Sequence, residues 1–598
     1  MKAVTRAWPL AGLLVLVLAG AFCAPLQGQS TFGKILGNVF DANGAVIPGA
    51  EVTLIDQATN IVRATKTNEA GIYEFVDLVP GRYQLEVRRE GFKTFVQKDI
   101  DLSSRQTIRI DPGMQLGTVA ETVTVTAAAG LIETETASVA GTVRGGEPFF
   151  LSPNTTSQRP WDMMRLDPLV QNSNSSTRFT MAGAYFNQAE YHIDGISVPL
   201  GTGSLAGSMV MSSEALAEVK ILAVNNNAEY ASPGVYEQIS KGGTNTFHGD
   251  LFYHFASSAL NARRADQTAK AANHDHRFGG NVGGPIRIPK LYNGRDRTFF
   301  SASYQTDRAP GSTTYVATVP TTNMRDGIFA GTVRDPLTGQ PFPNATIPSD
   351  RVNEVSRKVQ NLYYPLPTID SPTLVTNNSQ VVGPNGTTRE DVADFRVDQH
   401  ISDRHWMYGR IGGTQFNNRA YDAGLPTMGF RAATRKLYTS VLSYTWTLRP
   451  SLLNEARVGY VRDNSPAGGS NNGLTVLKTL GITFPADLQP PDARGFPVFS
   501  ITGPTPLAQQ NTAANVSQSY QFTDTLSWIK KRHSFKTGIN IFWEQPNIVR
   551  VPSGVHGTFT FLGTYTGQAY GDFLLGIPDS TAVIGANPPI YMTRSPTA

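Results

Sequence analysis

Residues 435–461 read RKLYTSVLSYTWTLRPSLLNEARVGYV. In an extended chain side chains alternate with a period of two. Tyr438, Leu442, Tyr444, Trp446 and Leu448 therefore share one face, and Thr439, Ser443, Thr445 and Thr447 share the other. Arg449-Pro450-Ser451 supplies a turn. Beyond it Ala456, Val458 and Tyr460 take one face while Glu455, Arg457 and Gly459 lie opposite. The design recurs twice. Phe522, Leu526 and Trp528 line up before a turn at Lys530-Lys531-Arg532, and Phe535, Ile539, Ile541 and Trp543 then alternate with Lys536, Gly538 and Asn540. Another hairpin runs over 394–399, turns at Ser402-Asp403-Arg404 and continues through Trp406 and Tyr408. Turns of about three residues thus alternate with long polar connections at 415–433 and 463–516. Strands near ten residues with aromatic ends, joined in this way, are the pattern of a membrane-spanning β-barrel. Lipid offers backbone amides no partner, so only a closed barrel satisfies them all. A soluble sandwich shows the same alternation, but a connection as long as 463–516 is rare inside a compact domain.

The composition agrees. Of 598 residues, 40% are hydrophobic but only 16% are charged, against about 25% charged in ordinary soluble domains. Mean hydropathy is nonetheless −0.21, as strands with one apolar and one polar face require. Apolar content is too high and the net charge of +4 too small for a disordered chain. The long apolar run at 10–22 stands alone, and nothing later approaches the roughly 20 residues a membrane helix needs. The cationic excess, 51 Lys and Arg against 47 Asp and Glu, forms no basic stripe, so no nucleic-acid partner is expected. Residues 1–29 read as a signal peptide: Lys2 and Arg6, an apolar 11–21, and a small or polar exit over 24–29. Phe22 is too bulky to precede a lipid-acceptor cysteine. Cleavage near Gly28 removes Cys23, the one cysteine, and suits an oxidising compartment outside the cytoplasm.

Residues 30–112 read as a small all-β domain, with alternating runs at 35–40, 51–55, 72–76 and 83–87. Turns fall at Asp41-Ala42-Asn43-Gly44, Asn68-Glu69-Ala70-Gly71 and Pro80-Gly81. Gly37-Asn38-Val39-Phe40-Asp41, Ile47-Pro48-Gly49-Ala50-Glu51-Val52, Gly71-Ile72-Tyr73-Glu74-Phe75 and Leu78-Val79-Pro80-Gly81-Arg82-Tyr83 resemble the carboxypeptidase regulatory-like domain. The resemblance implies a prealbumin-like sandwich of seven or eight strands without a zinc site; Asp41 and Asn43 are turn formers rather than calcium ligands. The 113–129 linker carries Glu121-Thr122-Val123-Thr124-Val125-Thr126. From its residues alone this stretch is either a strand closing the first domain, the commoner case, or an uncharged edge that adds to a partner sheet.

Residues 130–245 turn to Asn, Ser, Ala and Gly. Tyr191-His192-Ile193-Asp194-Gly195-Ile196, Glu229-Tyr230 and Ser240-Lys241-Gly242-Gly243-Thr244-Asn245 resemble the plug of TonB-dependent outer-membrane receptors, with Asp194 and Gly195 as its turn. The likeness implies a short helix at 213–216 and a strand at 218–222, in a mixed α/β plug. Asn225-Asn226-Asn227 replaces the familiar Arg-Gly-Pro, as in the Oar-like branch. Thr246-Phe247-His248-Gly249-Asp250-Leu251-Phe252-Tyr253, followed by Ala259-Leu260-Asn261-Ala262-Arg263, resembles the first barrel strand of Oar-like transporters. Arg277-Phe278-Gly279-Gly280-Asn281-Val282-Gly283-Gly284-Pro285-Ile286, Arg297-Thr298-Phe299-Phe300, Ser451-Leu452-Leu453-Asn454-Glu455 and Gly571-Asp572-Phe573-Leu574-Leu575-Gly576 fit the same family. Under that resemblance Glu121, Thr122, Val123, Thr124, Val125 and Thr126 form the TonB box.

The expected molecule is mostly β. It comprises a sandwich at 30–112, the linker and box at 113–129, a plug at 130–245, and at 246–598 an antiparallel transmembrane barrel of ten to twelve strands. The family's barrels have about 22, within the range such barrels span, so the chain reads as an N-terminal fragment or a truncated product with an incomplete barrel, the alternative being a smaller closed barrel that manages without the usual closing strand. The resemblance implies an outer-membrane receptor or transporter with its sandwich in the periplasm. Its partners would be outer-membrane lipid, a TonB-type inner-membrane energy-coupling protein pairing with the box, and an extracellular ligand, polysaccharide among the candidates, met by the loops at 307–388 and 463–516. The rival reading is a surface adhesion or glycan-binding protein anchored by the barrel, or a non-functional truncated transporter. No cofactor and no enzymatic activity are expected. Gly201-Thr202-Gly203-Ser204-Leu205-Ala206 lacks the βαβ setting of a dinucleotide loop. In Ser527-Trp528-Ile529-Lys530 the Ser and Lys point apart, and His274-Asp275-His276 has no third metal ligand in evidence.

Overall fold

The computed structural model describes residues 31–584 apart from gaps, the longest at 127–138, 145–163, 199–210 and 263–273. The signal-peptide stretch, Cys23 and the Gly201–Ala206 segment lie outside the described residues.

The N-terminal domain is the expected sandwich. Gly33–Asn38, Ile72–Leu78 and Thr107–Arg109 form one sheet. Glu51–Asp56, Val62–Lys66, Gly81–Arg88 and Thr94–Leu102 form the other. In Gly81–Arg88 the inward residues Tyr83, Leu85 and Val87 are buried while Gln84 and Glu86 between them are less so. The two inner faces meet in a core that includes Ile35, Val52, Leu54, Tyr73, Phe75 and Ile100. Tyr73 closes it by donating its hydroxyl to the Ile110 carbonyl at 2.8 Å.

In the stretch expected to be the plug, one sheet contains Val139–Arg144, Leu216–Val224, Val235–Ser240, Glu190–Ile193 and Ile196–Ser197, in that spatial order. The helix expected at 213–216 is instead a turn, and the strand starts early, at Leu216. Leu216 is already paired with Ser240 in the sheet, which leaves 213–215 only a turn, while the Ser212 and Ser213 amides are bonded to barrel side chains.

Nine strands form one antiparallel sheet in chain order: His248–Ser257, His274–Pro285, Thr298–Arg308, Thr387–Ser402, His405–Tyr421, Phe430–Arg449, Leu452–Gly469, Ala513–Lys530 and His533–Arg550. The three hairpins read from the sequence are present in register, for example Ser440 opposite Tyr460 and Phe522 opposite Ile541. Two expectations change. Among the described residues the sheet has nine strands against the ten to twelve expected over the whole region, and the six from Thr387 onward run 16–20 residues, well beyond ten. Outward residues keep to a band. Tyr438, Leu442 and Trp446 of the sixth strand are exposed, whereas Leu437, Thr439, Val441 and Ser443 face a buried lumen. Aromatic side chains gather at both edges of the band. Tyr460, Tyr520 and Trp543 stack in sequence at 5.1 and 5.8 Å along the outer edge. Trp528 and Phe535 meet at 5.6 Å along the periplasmic edge. These are the interfacial girdles of a membrane barrel.

The long connections are not structureless. Segments within 312–371, 422–429, 471–509 and 554–584 share an apolar core of their own, including Phe329, Val359, Leu480, Phe499, Tyr570, Phe573 and Leu574. Helix Glu354–Tyr363 starts where Asn353 Oδ1 accepts the Val355 and Ser356 amides. The Gly571–Gly576 motif is not a strand. It lies in helix Ala569–Leu575, which ends at Gly576 in the left-handed conformation at φ 72°, a position glycine adopts without a steric penalty. Ser356 Oγ donates to the Phe573 carbonyl, the Asn353 amide to the Leu574 carbonyl at 2.7 Å, and Tyr364 Oη to the Thr505 carbonyl at 2.9 Å. The connections thus form one folded cap.

Candidate functional site: the plug turn, the barrel arginines and the box strand

Asp194 and Gly195 sit at the two-residue turn joining Glu190–Ile193 to Ile196–Ser197, with φ of 50° and 75°. Two left-handed residues give the hairpin turn that Asp-Gly favours. A Cβ on Gly195 would stand 1.8 Å from Arg457 Nη1, so the guanidinium would have to shift to admit one.

Asp194 is buried and fully engaged. Its Oδ1 accepts the Ser240 amide and its Oδ2 the Ser240 hydroxyl, both at 2.8 Å. Arg410 Nε lies 3.6 Å and Arg396 Nη1 4.0 Å away. The two arginines come from neighbouring barrel strands and face the lumen. Arg396 also donates to Ser240 Oγ at 2.9 Å, pairs with Asp398 at 2.7 Å and lies over the Tyr408 ring at 4.2 Å. Arg410 pairs with Asp394, whose other oxygen accepts the Ser212 amide at 3.1 Å. Gln521 Oε1 accepts the Ser197 amide at 2.7 Å, and Gln305 Oε1 accepts from Ser213 Oγ at 3.0 Å. Buried cations are stable only when paired and hydrogen-bonded; here the plug supplies part of that pairing. Beside this network Tyr191, Ile193 and Ile196 pack against Val392, Tyr408, Leu437, Val441 and Val461 of the barrel wall.

The 121–126 segment, expected to be the box, holds a definite place. Thr122–Thr126 pairs in parallel with Thr94–Leu102, Thr122 opposite Thr94 through Thr126 opposite Lys98. It is the end strand of the second sandwich sheet. Both readings open at the sequence level are therefore compatible with one geometry: the strand completes the sandwich and is at the same time an edge. Lys93 Nζ, 2.8 Å from Glu121, holds that exposed carboxylate below its ordinary range. Thr94 Oγ1 donates to the Val119 carbonyl at 2.7 Å.

The sandwich also grips the plug, a contact with no local sequence signal. Its 103–106 loop carries Arg105 at φ 57°. Arg105 Nε pairs with Glu237 at 2.9 Å and its Nη1 with Glu229 at 3.2 Å, while the guanidinium lies 4.6 Å from the centre of the Tyr230 ring. The Ser104 amide donates to Glu218 Oε1 at 2.5 Å, and Lys220 Nζ donates to the Ser104 carbonyl. Farther out a cavity of about 500 Å³ separates the sandwich from the short barrel turns, with Arg63, Asp77, Tyr83, Arg297 and Trp406 among its walls. Burial, helped by Glu455 and opposed by Lys536, Arg63 and Ser527, pushes the Asp77 carboxyl up to about 6.

The candidates read as decoys are explained. His274 bonds Ser257 Oγ and His276 bonds Tyr253 Oη. Ser527 is buried while Lys530 is exposed. Among the described residues no three His, Cys, Asp or Glu side chains converge as a metal site would require.

Residues 239–596 match the outer membrane beta barrel domain, and 34–115 the carboxypeptidase regulatory-like domain. The chain belongs to the outer-membrane β-barrel family. It is 24% identical over 346 residues to the TonB-dependent transporter Oar of Myxococcus xanthus, covering 54% of this chain and 30% of that relative. Among solved structures it is similar to a mutant of the ferric enterobactin receptor PfeA of Pseudomonas aeruginosa, at 13% identity and TM-score 0.39, covering 69% of this chain and 50% of that one. The siderophore receptor PirA of Acinetobacter baumannii is matched at 11% identity and TM-score 0.40, covering 69% and 49%. The chain spans about half the length of those receptors and 30% of the curated transporter. These three relatives are transporters or receptors, not enzymes. Outer-membrane localisation follows from the barrel family together with the girdled strands; among the described residues no helix is long and apolar enough to cross a membrane.

Proposed function

We propose that the chain is the box, plug and first barrel portion of a TonB-dependent importer, working with a TonB-type energy-coupling protein of the inner membrane. The sandwich stands in the periplasm and the cap meets an extracellular ligand. The observation that carries this reading is the plug turn at Asp194 and Gly195, held by lumen-facing Arg396 and Arg410 and lying close against Arg457. Hydrogen bonds and ion pairs form much of this contact, and water can replace them as a plug shifts. Strand addition at Glu121, Thr122, Val123, Thr124, Val125 and Thr126 gives the partner a backbone handle, with alternate side chains setting specificity. The test is binding of the periplasmic domain of a TonB-type protein to the full chain in outer-membrane vesicles. Binding on the order of micromolar Kd is expected, with at least a tenfold loss on deleting 121–126. Equal binding by the deleted chain would favour the rival, an adhesion protein for which the barrel is only an anchor.

A further inference from the structure

The box strand and the Arg105 loop belong to one rigid sandwich, and their placement assigns that domain a task. Thr122–Thr126 is bonded on one side to Thr94–Leu102. Among the described residues no strand pairs with its other side. Thr122, Thr124 and Val125 are exposed along it, and Val125 keeps 41% of its surface open. A partner strand can therefore add to the outer edge without removing the box from the sandwich. Its backbone is already extended, so the ordering cost that a loose tether would incur on binding falls away.

The strand Thr94–Leu102 runs directly into the 103–106 loop, whose Arg105 is buried against Glu237 and Glu229, with Ser104 clasped between Glu218 and Lys220. Glu218, Lys220 and Glu237 lie on paired strands of the plug sheet. Lys220 is directly opposite Glu237. Load on the box then passes through the parallel ladder into the sandwich strand, around one turn, and into the centre of the plug sheet. We infer that the sandwich is a load-bearing adaptor: it presents Thr122–Thr126 as a ready-made edge to the energy-coupling partner and transmits the pull to the plug through Arg105. Arg105 is a positioning residue in this scheme; it touches no ligand. The inference rests on the reading of 121–126 as the box.

The test uses the full chain in outer-membrane vesicles, with Cys23→Ser as background. Val96→Cys and Thr124→Cys, opposite each other in the ladder, are joined by a short bis-maleimide. The probe is the periplasmic domain of a TonB-type protein, measured in parallel against a free peptide of residues 119–128. The cross-linked chain is expected to bind within about threefold of the unlinked one and more tightly than the peptide. A peptide that binds while the cross-linked chain loses more than tenfold overturns the adaptor, because the box must then leave the sandwich. A peptide and chain that both fail to bind overturn the box reading and the adaptor with it. Single-molecule pulling from residue 121 supplies the second arm. Arg105→Ala is expected to lower the force that displaces the plug at least twofold, with Arg105→Lys intermediate and probe binding unchanged. Equal rupture forces in wild type and both variants overturn the route through Arg105. Heat-modifiable gel migration verifies that each variant has a folded barrel.

Discussion

The cap and the plug are both filled from loops and short elements, yet they are held by opposite chemistry. The cap closes on aromatic and aliphatic side chains, with Phe499, Phe561 and Tyr570 each in ring contact with Phe573. The plug rests against the barrel through Asp194, Ser240, Ser197 and Ser213, facing arginines, aspartates and glutamines, beside a smaller apolar patch. An apolar core loses stability as soon as it opens, because each exposed side chain forfeits its burial. A polar interface exchanges one set of hydrogen bonds for another and can slide. On the proposed import reading, the contrast makes the cap the fixed part and the plug the moving one.

The sharpest way to break that comparison is Phe573→Ala, which removes a fully buried ring from the cap. We expect a loss of about 3–5 kcal/mol, seen as protease sensitivity of the cap while heat-modifiable migration of the barrel persists. If barrel and cap melt together, the cap is not an independent core. Asp194→Ala comes next. It strands the Ser240 amide and hydroxyl and leaves Arg410 Nε without its nearest carboxylate. About 2–3 kcal/mol is expected, read as faster amide exchange over 235–240 with no change in the cap. Gly195→Ala should cost about 1–2 kcal/mol through its positive φ. The mobile Arg457 head can move aside, so a much larger loss would mean the lumen is more rigid than its polarity implies.

The smallest effect concerns pH. The Asp77 carboxyl, raised to about 6 by burial, takes up a proton more readily folded than unfolded. Its contribution to stability is complete below the ordinary carboxylate range and is lost as pH rises through 6. Asp77→Asn should flatten the sandwich's melting temperature between pH 4 and 7, where the wild type falls by on the order of a few degrees. An unchanged slope in the variant would exclude Asp77 as its source.

Alternation made the hairpins legible. Tyr438 to Trp446 and Phe522 to Trp528 fix the faces because a one-residue slip would turn lipid-facing aromatics inward. The Asp194-Gly195 turn came instead from the resemblance to the plug of TonB-dependent receptors. Arg105 was not, since its partners Glu229 and Glu237 lie more than a hundred residues away and no periodicity links them. Glu455 and Arg457 were visible as part of a polar face, but Arg396 and Arg410 were not singled out, because the carboxylates they meet are brought to them only by the folded chain. The cap was hidden because its core is assembled from four separate connections, none apolar enough alone to announce a domain.

The sixth barrel strand, Phe430–Arg449, has 20 residues. At about 3.4 Å per residue it is roughly 68 Å long, and a tilt of about 40° leaves a vertical reach of roughly 50 Å. The apolar band of such barrels is only about 25 Å tall. On this strand the exposed apolar residues Tyr438, Leu442 and Trp446 occupy the periplasmic half, while Lys436, Arg431 and their neighbours continue outward. The wall therefore stands clear of the bilayer like a turret, and the cap sits on its parapet some 25 Å beyond the hydrocarbon. Whatever reaches the cap from the medium does so without touching lipid.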